Sequence, residues 1–403
     1  MSRSNAVPVI MYHSIGVPNP NWIWNFLTIP HKSFEDHLRV LKTKEFNTID
    51  LAQLYDYVSI GKPIPLNSVV LTFDDGYLDN WVYAYPLLKK YGFKGTIFVN
   101  PEFVDPTEEY RPNLEDVWAG KVRSEELISH GFLSWRELRE MEKTNVMDIQ
   151  SHGMTHTWYF SGPEIIDFRH PGDPYVWMNW NKDISTKHKY LIENQEDLVE
   201  LGAPVYQHEK SLAARRYFPD ASLNETVSQY VKKNGGKEFF KNKSWRDQLF
   251  QVVEDHRKNS KSKDEYESEE DQLNRYKWEL NQSKGILEKE LGKNVRFLCW
   301  PGGGYNDISL SMSKKAYMAT TLSSRDASTK KNVYGEDPSR IKRVGIPILN
   351  HDERGLPYYL KGYYLYLYLK EYPGSSYHRF LRQSLKAYYL FANLKVHLKS
   401  TIQ

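Results

Sequence analysis

The chain has 403 residues, which is enough to bury a barrel-sized catalytic domain with an insertion. Its net charge of +3 is too small to indicate a nucleic-acid partner, and none is expected. The single cysteine, Cys299, excludes an internal disulfide framework. No apolar stretch reaches the length of a membrane-spanning helix, so none is predicted.

The amino-terminal residues give an expectation of the cellular compartment of the protein. Residues 1–5 lack the apolar run of a secretory signal peptide. This start favours a cytoplasmic protein. The periplasm or the extracellular space is expected instead if a signal peptide was removed from the sequence.

Strand and helix patterns alternate in the first part of the chain. Residues 7–12 form an apolar run typical of a buried strand, and Ser33 caps a predicted helix. Residues 46–49 form a short strand, and Asp50 caps a second helix. The pattern indicates an α/β domain from the outset.

Two adjacent carboxylates end the next predicted strand, over residues 67–73. Asp74 and Asp75 follow it directly, and Gly76 lets the chain turn sharply. Two like charges at the edge of a core are unfavourable unless another group compensates them. A divalent cation would do so, with one carboxylate as ligand and the other as base. A solvated turn is the alternative, because Asp-Gly is also a common hairpin signal.

The alternation continues to residue 150. The predicted elements are a helix around Trp81, a strand over 95–99, a helix with a Ser134–Glu137 capping box, and a strand over 146–150. Alternating strands and helices predict a mainly parallel sheet, either open or closed into a barrel.

Two histidines four residues apart follow that last strand. His152 and His156 can direct both imidazoles at one ion, as open metal sites require. The carboxyl ends of parallel strands are where such folds place their sites. Because the Asp74–Asp75 pair also follows a strand, we expect the histidines and carboxylates to share one metal site.

Together these two motifs resemble those of the polysaccharide deacetylases, the family-four carbohydrate esterases. The matching residues are Thr72-Phe73-Asp74-Asp75-Gly76-Tyr77 and Ser151-His152-Gly153-Met154-Thr155-His156. The opening residues 8–15 resemble the branch of poly-N-acetylglucosamine deacetylases, in which the motif order is circularly permuted. The resemblance covers roughly residues 6–156 and 285–350. It implies a distorted, incomplete (β/α) barrel and metal-dependent removal of N- or O-acetyl groups from sugars.

The resemblance also implies roles for individual residues. Asp75, His152 and His156 would hold a divalent metal ion, which we expect to be zinc, with cobalt, nickel or iron as alternatives. Asp74 would be the general base, held ionised by the cation beside it. The backbone N–H of Tyr77 would donate to the oxyanion.

Two histidines are candidates for the general acid. The early Tyr12-His13 pair matches the permuted branch, so His13 is the predicted acid. The late Leu349-Asn350-His351 has the form used by the other members of the family, which makes His351 the alternative. A structural role for His13, with its imidazole satisfied by hydrogen bonds, also stays open.

A third motif, Trp300-Pro301-Gly302-Gly303-Gly304-Tyr305, resembles the family pattern less closely. The usual arginine two residues before the proline is Cys299 here, as the permuted branch also tends to show, so the partner of Asp74 is left open. The glycines allow the backbone to approach a ligand closely. Predicted sugar contacts are Trp300, Pro301, Tyr305 and Trp158. Cys299 is interpreted as a buried, inert thiol and not as a nucleophile.

Residues 157–270 interrupt the alternation and are interpreted as a large insertion. Between Trp158 and Trp180, aromatic residues are mixed with prolines and glycines, which predicts a loop. Such a loop could stack on sugar rings or only cover the barrel mouth. Residues 254–271 are densely charged and predict a solvated or mobile segment.

After the insertion, regular structure resumes. The predicted elements are a helix over 273–291 ended by Gly292, and strands over 295–299, 317–321 and 341–346. We therefore expect one catalytic domain over residues 6–350, with the insertion at about 157–270.

The remaining residues, 351–403, form a basic and tyrosine-rich C-terminal extension with helical character. Residues 358–403 hold ten tyrosines and seven Lys or Arg residues against one acid, Glu371. From Tyr377 onward an apolar stripe recurs at helical spacing. Such a helix could lie on an anionic membrane surface. An apolar stripe more often packs on the protein itself or on another copy, which favours docking.

The function predicted from the sequence is metal-dependent hydrolysis of acetyl groups from N-acetylated hexosamines in a polysaccharide or its precursor. An O-acetyl esterase acting on a glycan would share every catalytic residue. A glycan-binding module without turnover is a further alternative, favoured only by the missing arginine. The expected partner is a glycan, with peripheral membrane contact through the extension as a second candidate.

Overall fold

Strands and helices alternate along most of the chain in the computed structural model, which describes residues 6–260, 263–322, 331–351, 357–359 and 361–400. The strands are β1 (Val9–Tyr12), β2 (Ser14–Gly16), β3 (Thr28–Pro30), β4 (Asn47–Thr48), β5 (Ser68–Phe73), β6 (Gly95–Val99), β7 (Met147–Ser151), β8 (Trp158–Phe168), β9 (Pro204–Lys210), β10 (Tyr217–Phe218), β11 (Glu265–Tyr266), β12 (Phe297–Leu298), β13 (Ala319–Thr321), β14 (Arg340–Ile341), β15 (Val344–Gly345), β16 (Ile348–His351) and β17 (Pro357–Tyr359). The α-helices are α1 (His31–Thr43), α2 (Leu51–Ile60), α3 (Tyr85–Tyr91), α4 (Leu114–Trp118), α5 (Trp135–Lys143), α6 (Val176–Lys182), α7 (Ala221–Lys233), α8 (Trp245–Asn259), α9 (Glu269–Leu291), α10 (Asp307–Ala316), α11 (Gly362–Glu371) and α12 (Ser376–Ser400).

A central parallel sheet carries the fold. Its strand order is β14-β13-β12-β7-β6-β5-β1-β15, with β4 also paired to β5. Strands β14 and β15 lie at opposite ends of this order, yet only Lys342 and Arg343 separate them in sequence. Such a short link spans about 10 Å at most. The sheet therefore curls until its two edges meet, which confirms the predicted α/β fold, a distorted and incomplete (β/α) barrel.

The core has two parts because successive strand residues point to opposite faces. Ile10, Leu71 and Ile149 belong to the larger apolar cluster, which also contains residues of α1, α3, α5 and α9. Their neighbours Val9 and Val70 belong to a second cluster with β12, β13 and α2. Strands buried on both faces read as continuous apolar runs, and this is why the sequence pattern found them.

Helix starts follow the predicted caps in two cases out of three. The side chain of Asp50 accepts from the Gln53 amide at 2.7 Å and caps α2, and the Ser134 side chain caps α5. The prediction that Ser33 caps α1 is wrong. That helix begins at His31, directly after Pro30, and has no side-chain cap.

Most of the insertion is regular, which corrects the predicted loop between Trp158 and Trp180. Strand β8 pairs antiparallel with β9, and α6 follows β8. Gly162 and Pro163, read as loop formers, lie where the β8–β9 register shifts, because an irregular ladder accommodates both residues. The charged residues 254–271 also belong largely to elements, namely the end of α8, strand β11 and the start of α9, apart from 261–262, which lie outside the described residues.

The C-terminal extension docks on the barrel through α11. A Cβ at Gly362 would lie 2.5 Å from the Asp36 carbonyl oxygen of α1, and the Gly362 amide donates to the Asp36 carboxylate at 2.6 Å. On the following helix, α12, the side chains of Tyr377, Phe380 and Tyr388 are each about two-thirds exposed. No helix among the described residues is long and apolar enough to cross a bilayer.

Candidate active site

The ends of three strands of the central sheet bring the predicted site residues together. His13 follows β1, Asp74 and Asp75 follow β5, and His152 follows β7. Strands β1 and β5 are paired in register, and β6 lies between β5 and β7. Because these strands are parallel, their carboxyl ends open on one face of the barrel, and all four side chains face the same cavity.

Asp75, His152 and His156 form a compact donor set. The Asp75 Oδ1 atom lies 3.1 Å from His152 Nε2 and 3.2 Å from His156 Nε2. Tetrahedral ligands at zinc-like bond lengths are separated by about 3.4 Å, close to these values. Asp75 Oδ1 and His152 Nε2 are also buried without a hydrogen-bond partner among the described residues. Both observations fit a divalent metal ion.

The tautomer of His152 suits metal binding. Its Nδ1 lies 2.9 Å from the carbonyl oxygen of Cys299, and a carbonyl only accepts. The proton therefore resides on Nδ1, and the Nε2 lone pair faces Asp75 and His156. The Asn100 side-chain amide donates to the carbonyl oxygens of His152 and Gly153, which fixes the backbone at this end of the motif.

Two of the three candidate ligands have left-handed backbones. The φ angle is 75° at Asp75 and 44° at His156. For a residue with a Cβ this conformation costs about 1–2 kcal/mol, so surrounding contacts must hold it in place. Such conformations concentrate at ligand-binding positions, in agreement with the role predicted for both residues.

Asp74 is paired with an arginine that the sequence analysis missed. The Arg343 guanidinium donates through Nη1 to Asp74 Oδ1 at 2.6 Å and through Nη2 to Oδ2 at 2.9 Å. This is a buried, bidentate contact. Burial raises the pKa of Asp74, but the Arg343 guanidinium, through its charge and its hydrogen bonds, acts together with the nearby His152 and His13 and holds this pKa below its ordinary value.

His13 lies on the other side of the same carboxylate. Its Nε2 atom is 3.8 Å from Asp74 Oδ2, and 20% of its side chain is exposed to the cavity. The Asn80 side chain donates to the backbone carbonyl of His13 at 3.0 Å. His351 belongs to β16, which pairs with β17 outside the central sheet, and its side chain lies outside the described part of the structure.

The backbone at Tyr77 forms a bridge with Phe132. Its hydrogen bonds run from Leu78 N to Gly131 O and from Leu133 N to Gly76 O. Tyr77 and Phe132 thus form a non-hydrogen-bonded pair, and the bridge does not use the Tyr77 amide. The Tyr77 N–H stays a predicted oxyanion donor.

A cavity of about 340 Å³ surrounds these groups. Of the four predicted sugar contacts, Trp158 and Trp300 lie on its wall, whereas Pro301 and Tyr305 do not line it. The Tyr305 ring instead packs on Trp300, with centroids 4.8 Å apart. Sequence reasoning missed further wall residues that reach the cavity from separate segments of the chain: Trp24, Phe103, Phe132, Tyr190 and Lys210.

The glycines of the third motif accommodate a lysine. A Cβ at Gly302 or at Gly304 would collide with the side chain of Lys210, which extends from the end of β9. The Lys210 ammonium lies 3.1 Å from the ring centroid of Trp158. Gly302 and Gly303 also line the cavity, so close approach of a ligand to this backbone stays a prediction.

Comparison with known families adds to this geometry. The family model for polysaccharide deacetylases matches residues 62–239, which include both the Asp74–Asp75 and the His152–His156 motifs. The curled parallel sheet and the site at its strand ends agree with that match. Residues 62–239 therefore match a polysaccharide deacetylase domain.

Individual relatives support the same assignment. A polysaccharide deacetylase of Bacillus subtilis (strain 168) is 40% identical over 93 residues, 23% of this chain and 31% of that protein. The chain thus spans about a third of the length of this relative. The poly-β-1,6-N-acetyl-D-glucosamine N-deacetylase of Staphylococcus aureus (strain MRSA252) is 24% identical over 246 residues, 58% of this chain and 71% of that protein. The branch that the opening residues 8–15 indicated is confirmed.

The fold is also found in solved structures. The de-N-acetylase from Aggregatibacter actinomycetemcomitans superimposes with a TM-score of 0.50 at 18% identity, covering 84% of this chain and 94% of that protein. At this level of identity the likeness concerns the fold of the deacetylases alone.

The departure from the third deacetylase motif has a structural explanation. Cys299 stands where the family usually has an arginine, and its Sγ atom lies 2.9 Å from Nη2 of Arg343. Arg343 therefore supplies a guanidinium to Asp74 from the link between β14 and β15. The sequence offered one sign of this contact, namely that the basic residue Arg343 lies inside the apolar strand pattern of residues 341–346.

Proposed function

We propose that this protein hydrolyses acetyl groups from N-acetylated hexosamines in a polysaccharide or its precursor, with a bound divalent metal. The observation that carries the proposal is the Asp75–His152–His156 donor set beside Asp74, in a cavity walled by tryptophans. Buried ligands with an ionised carboxylate next to them are what metal-assisted hydrolysis requires.

The metal would be held by Asp75 Oδ1 and the Nε2 atoms of His152 and His156. When bound, a divalent ion lowers the pKa of a coordinated water towards neutrality and polarises a carbonyl. Zinc is the expected metal, with cobalt, nickel or iron as alternatives. The donor types, two imidazoles and one carboxylate, support a zinc-like ion over calcium or magnesium, which prefer all-oxygen sites.

Asp74 would act as the general base. Both of its oxygens accept from Arg343, which keeps the carboxylate ionised and orients it towards the cavity. An ionised carboxylate adjacent to a metal ligand can take the proton from a water molecule as that water attacks the acetyl carbon.

His13 and Tyr77 would complete the reaction. The imidazole of His13 would protonate the departing amine, since it borders the cavity within 3.8 Å of Asp74. The Tyr77 N–H would donate to the oxyanion that forms at the acetyl carbonyl. The sugar ring would stack on Trp158, whose indole forms part of the wall.

The test is acetate release by protein loaded separately with zinc, cobalt, nickel or iron. The substrates are short N-acetylglucosamine oligomers and a matched O-acetylated glycan. We expect metal-dependent release from the N-acetyl substrate. Release from the O-acetyl substrate alone would support the esterase alternative, which uses the same residues. Bound metal without release from either substrate would contradict the proposed reaction.

A glycan-binding module without turnover is the weaker alternative. Its only support was the missing family arginine, and Arg343 makes the expected contact with Asp74 from another position. The proposal of an active enzyme therefore has the better physical basis.

We also propose a division of the chain into a catalytic domain, residues 6–350, and the extension, residues 351–403. The insertion at about 157–270 has its own apolar cluster, which supports its treatment as an added unit. Peripheral membrane contact through the exposed aromatic side chains of α12 is part of this proposal. Unchanged liposome binding after deletion of residues 377–403 would contradict that contact.

A further inference from the structure

The turn that joins the two candidate metal-binding histidines is surrounded by a buried charged cluster. This cluster, called here the Thr155 anchor, consists of Glu102, Lys187 and Glu279. None of the three lies in a motif that the sequence analysis singled out. Glu279 and Lys187 bind directly to Thr155, the residue before His156, and Glu102 is the ion-pair partner of Lys187.

Glu279 contributes the anionic side of the anchor. It lies on α9 and is fully buried. One carboxylate oxygen accepts from the backbone amides of Met154 and Thr155, each at 3.1 Å. The other accepts from the Thr155 hydroxyl at 2.5 Å. The carboxylate thus fixes both the backbone and the side chain of the residue before His156.

Lys187 contributes the cation, and it comes from the insertion. Its side chain is 1% exposed and lies on the short helical segment Ile184–Lys189. The ammonium donates to the Thr155 carbonyl oxygen and to the Glu102 carboxylate, the latter at 2.7 Å. It also lies 4.7 Å from the ring centroid of Phe103, inside the aromatic wall of the cavity.

Stability alone does not account for this arrangement. Burying charges removes them from water, and apolar residues of similar volume are often equally or more stabilising. The anchor instead saturates the polar atoms of Thr155, namely its N–H, hydroxyl and carbonyl. The next residue, His156, has a left-handed backbone with φ 44° and a ring nitrogen directed at Asp75.

We propose that Lys187 and Glu279 are positioning residues that hold His156, through Thr155, in the orientation required of a metal ligand. The insertion is then part of the metal site and not only a wall of the cavity. The inference rests on the metal site of the proposed function. It predicts that loss of the anchor weakens metal binding even where the three ligands are intact.

The test compares metal affinity in folded variants of the full chain. Lys187→Met removes the cation. Thr155→Val removes only the hydroxyl that donates a hydrogen bond to Glu279. Arg169→Met is the matched control, because Arg169 is also a buried cation of the insertion and its partners Asp173 and Asn179 lie there as well. Zinc dissociation constants are measured by chelator competition, and the visible spectrum of the cobalt-loaded protein reports the ligand geometry.

We expect Lys187→Met to weaken zinc binding by about 10–100-fold, the usual effect of losing an outer-shell partner, and to alter the cobalt spectrum. Thr155→Val should weaken binding less, in the same direction. Arg169→Met should leave both readouts at their original values.

The contrary outcomes are distinct. An unmodified protein that binds no metal contradicts the proposed function itself. If it binds metal and folded Lys187→Met binds it equally well, only the positioning role is wrong. If Lys187→Met does not fold, unchanged affinity in Thr155→Val overturns the inference. An equal loss of affinity in Arg169→Met would show general destabilisation and would also overturn it.

Discussion

Asp74 and Asp75 are adjacent in sequence, yet their carboxylates face different partners. The Asp75 carboxylate faces two imidazoles. The Asp74 carboxylate instead accepts hydrogen bonds from Arg343 and lies 3.8 Å from His13. The left-handed backbone of Asp75 allows this divergence. One carboxylate is therefore available as a ligand and the other as a base.

Arg343 is the residue whose loss should separate base function from metal binding. In Arg343→Met the buried Asp74 carboxylate loses its cation, which leaves an uncompensated charge. We expect kcat/KM to fall by about 10²–10⁴-fold, the range of a general-base contribution, while zinc still binds. Arg343→Lys should recover part of the rate, because a lysine keeps the charge but not the two-pronged contact.

Steady-state kinetics and metal analysis on the same preparations check this expectation. Arg340→Met is the control, because Arg340 is a nearby arginine that donates to the Tyr305 hydroxyl and not to Asp74. Full activity in Arg343→Met would show that Asp74 does not depend on this pair.

The burial of Asp79 leads to a prediction of how the stability of the protein changes with pH. It is 5% exposed, and burial raises its pKa to about 7, although hydrogen bonds from Ser14, Ile15 and Asn80 oppose the shift. An unfolded aspartate titrates near pH 4. The folded protein therefore retains a proton that the unfolded chain releases. Stability should fall as the pH rises from about 4 to 7, by about 4 kcal/mol at most.

Asp79→Asn removes this titration while keeping groups that can donate and accept. We expect the loss of melting temperature between pH 5 and pH 8 to be smaller in the variant than in the unmodified protein. Thermal unfolding of both proteins at the two pH values measures the difference. Parallel losses in both would contradict a raised pKa for Asp79.

At the scale of elements, the insertion brings β8 to the cavity, with Trp158 at its start. The Trp158 ring is stacked on Trp24, with centroids 6.2 Å apart and planes 14° apart. The pair joins an early loop to the insertion, and both indole rings line the cavity. A sugar that binds there would gain contact area before and during reaction alike.

Trp158→Ala should therefore act on binding. We expect KM for N-acetylglucosamine oligomers to rise about tenfold with little change in kcat, as loss of uniform binding predicts. Trp278→Ala is the control, since Trp278 is 43% exposed on α9 and does not line the cavity. Equal KM values in the two variants would remove Trp158 from the substrate site.

The sequence revealed those parts of the site that local patterns encode. His13, Asp74 and His152 could be placed together because each follows a buried strand, and parallel strand ends converge. Arg343 could not be assigned to the site from the sequence, because its contact with Asp74 joins residues 269 positions apart and depends on closure of the barrel. Lys187 was also missed, because its contact with Thr155 depends on how the insertion packs beside the histidine motif.

Strand β8 was not predicted, and the reason lies in its local sequence. Gly162 and Pro163 interrupt its pattern and indicate a loop when read alone. Its pairing with β9 is non-local, so the partner strand that tolerates a register shift there is not visible in the sequence.

At the scale of the whole molecule, the barrel closes where the two edges of the sheet meet, and the extension packs on its outside. Lys342 and Arg343 join the edges, and one of them also completes the site. The extension covers the outer surface of α1 through Gly362, Leu365 and Leu369 of α11. The fold thus couples barrel closure to the environment of Asp74.

Gly362→Ala tests the docking of the extension. The added Cβ would lie 2.5 Å from the Asp36 carbonyl, so α11 must shift, at a cost of about 1–3 kcal/mol. Gly285→Ala is the matched control, because Gly285 has open space around it in α9, and alanine should stabilise that helix by about 1 kcal/mol. Urea unfolding of both variants measures the effect. A Gly362→Ala protein as stable as the control would show that α11 is not docked on α1.

The most direct test of the whole account measures metal content and acetate release on the same preparations of three proteins. We predict that the unmodified protein binds one zinc per chain and releases acetate from N-acetylglucosamine oligomers. His152→Ala should lose both properties, and Asp74→Asn should keep the metal and lose the acetate. An unmodified protein without metal, or an Asp74→Asn protein that still releases acetate, would contradict the central claim.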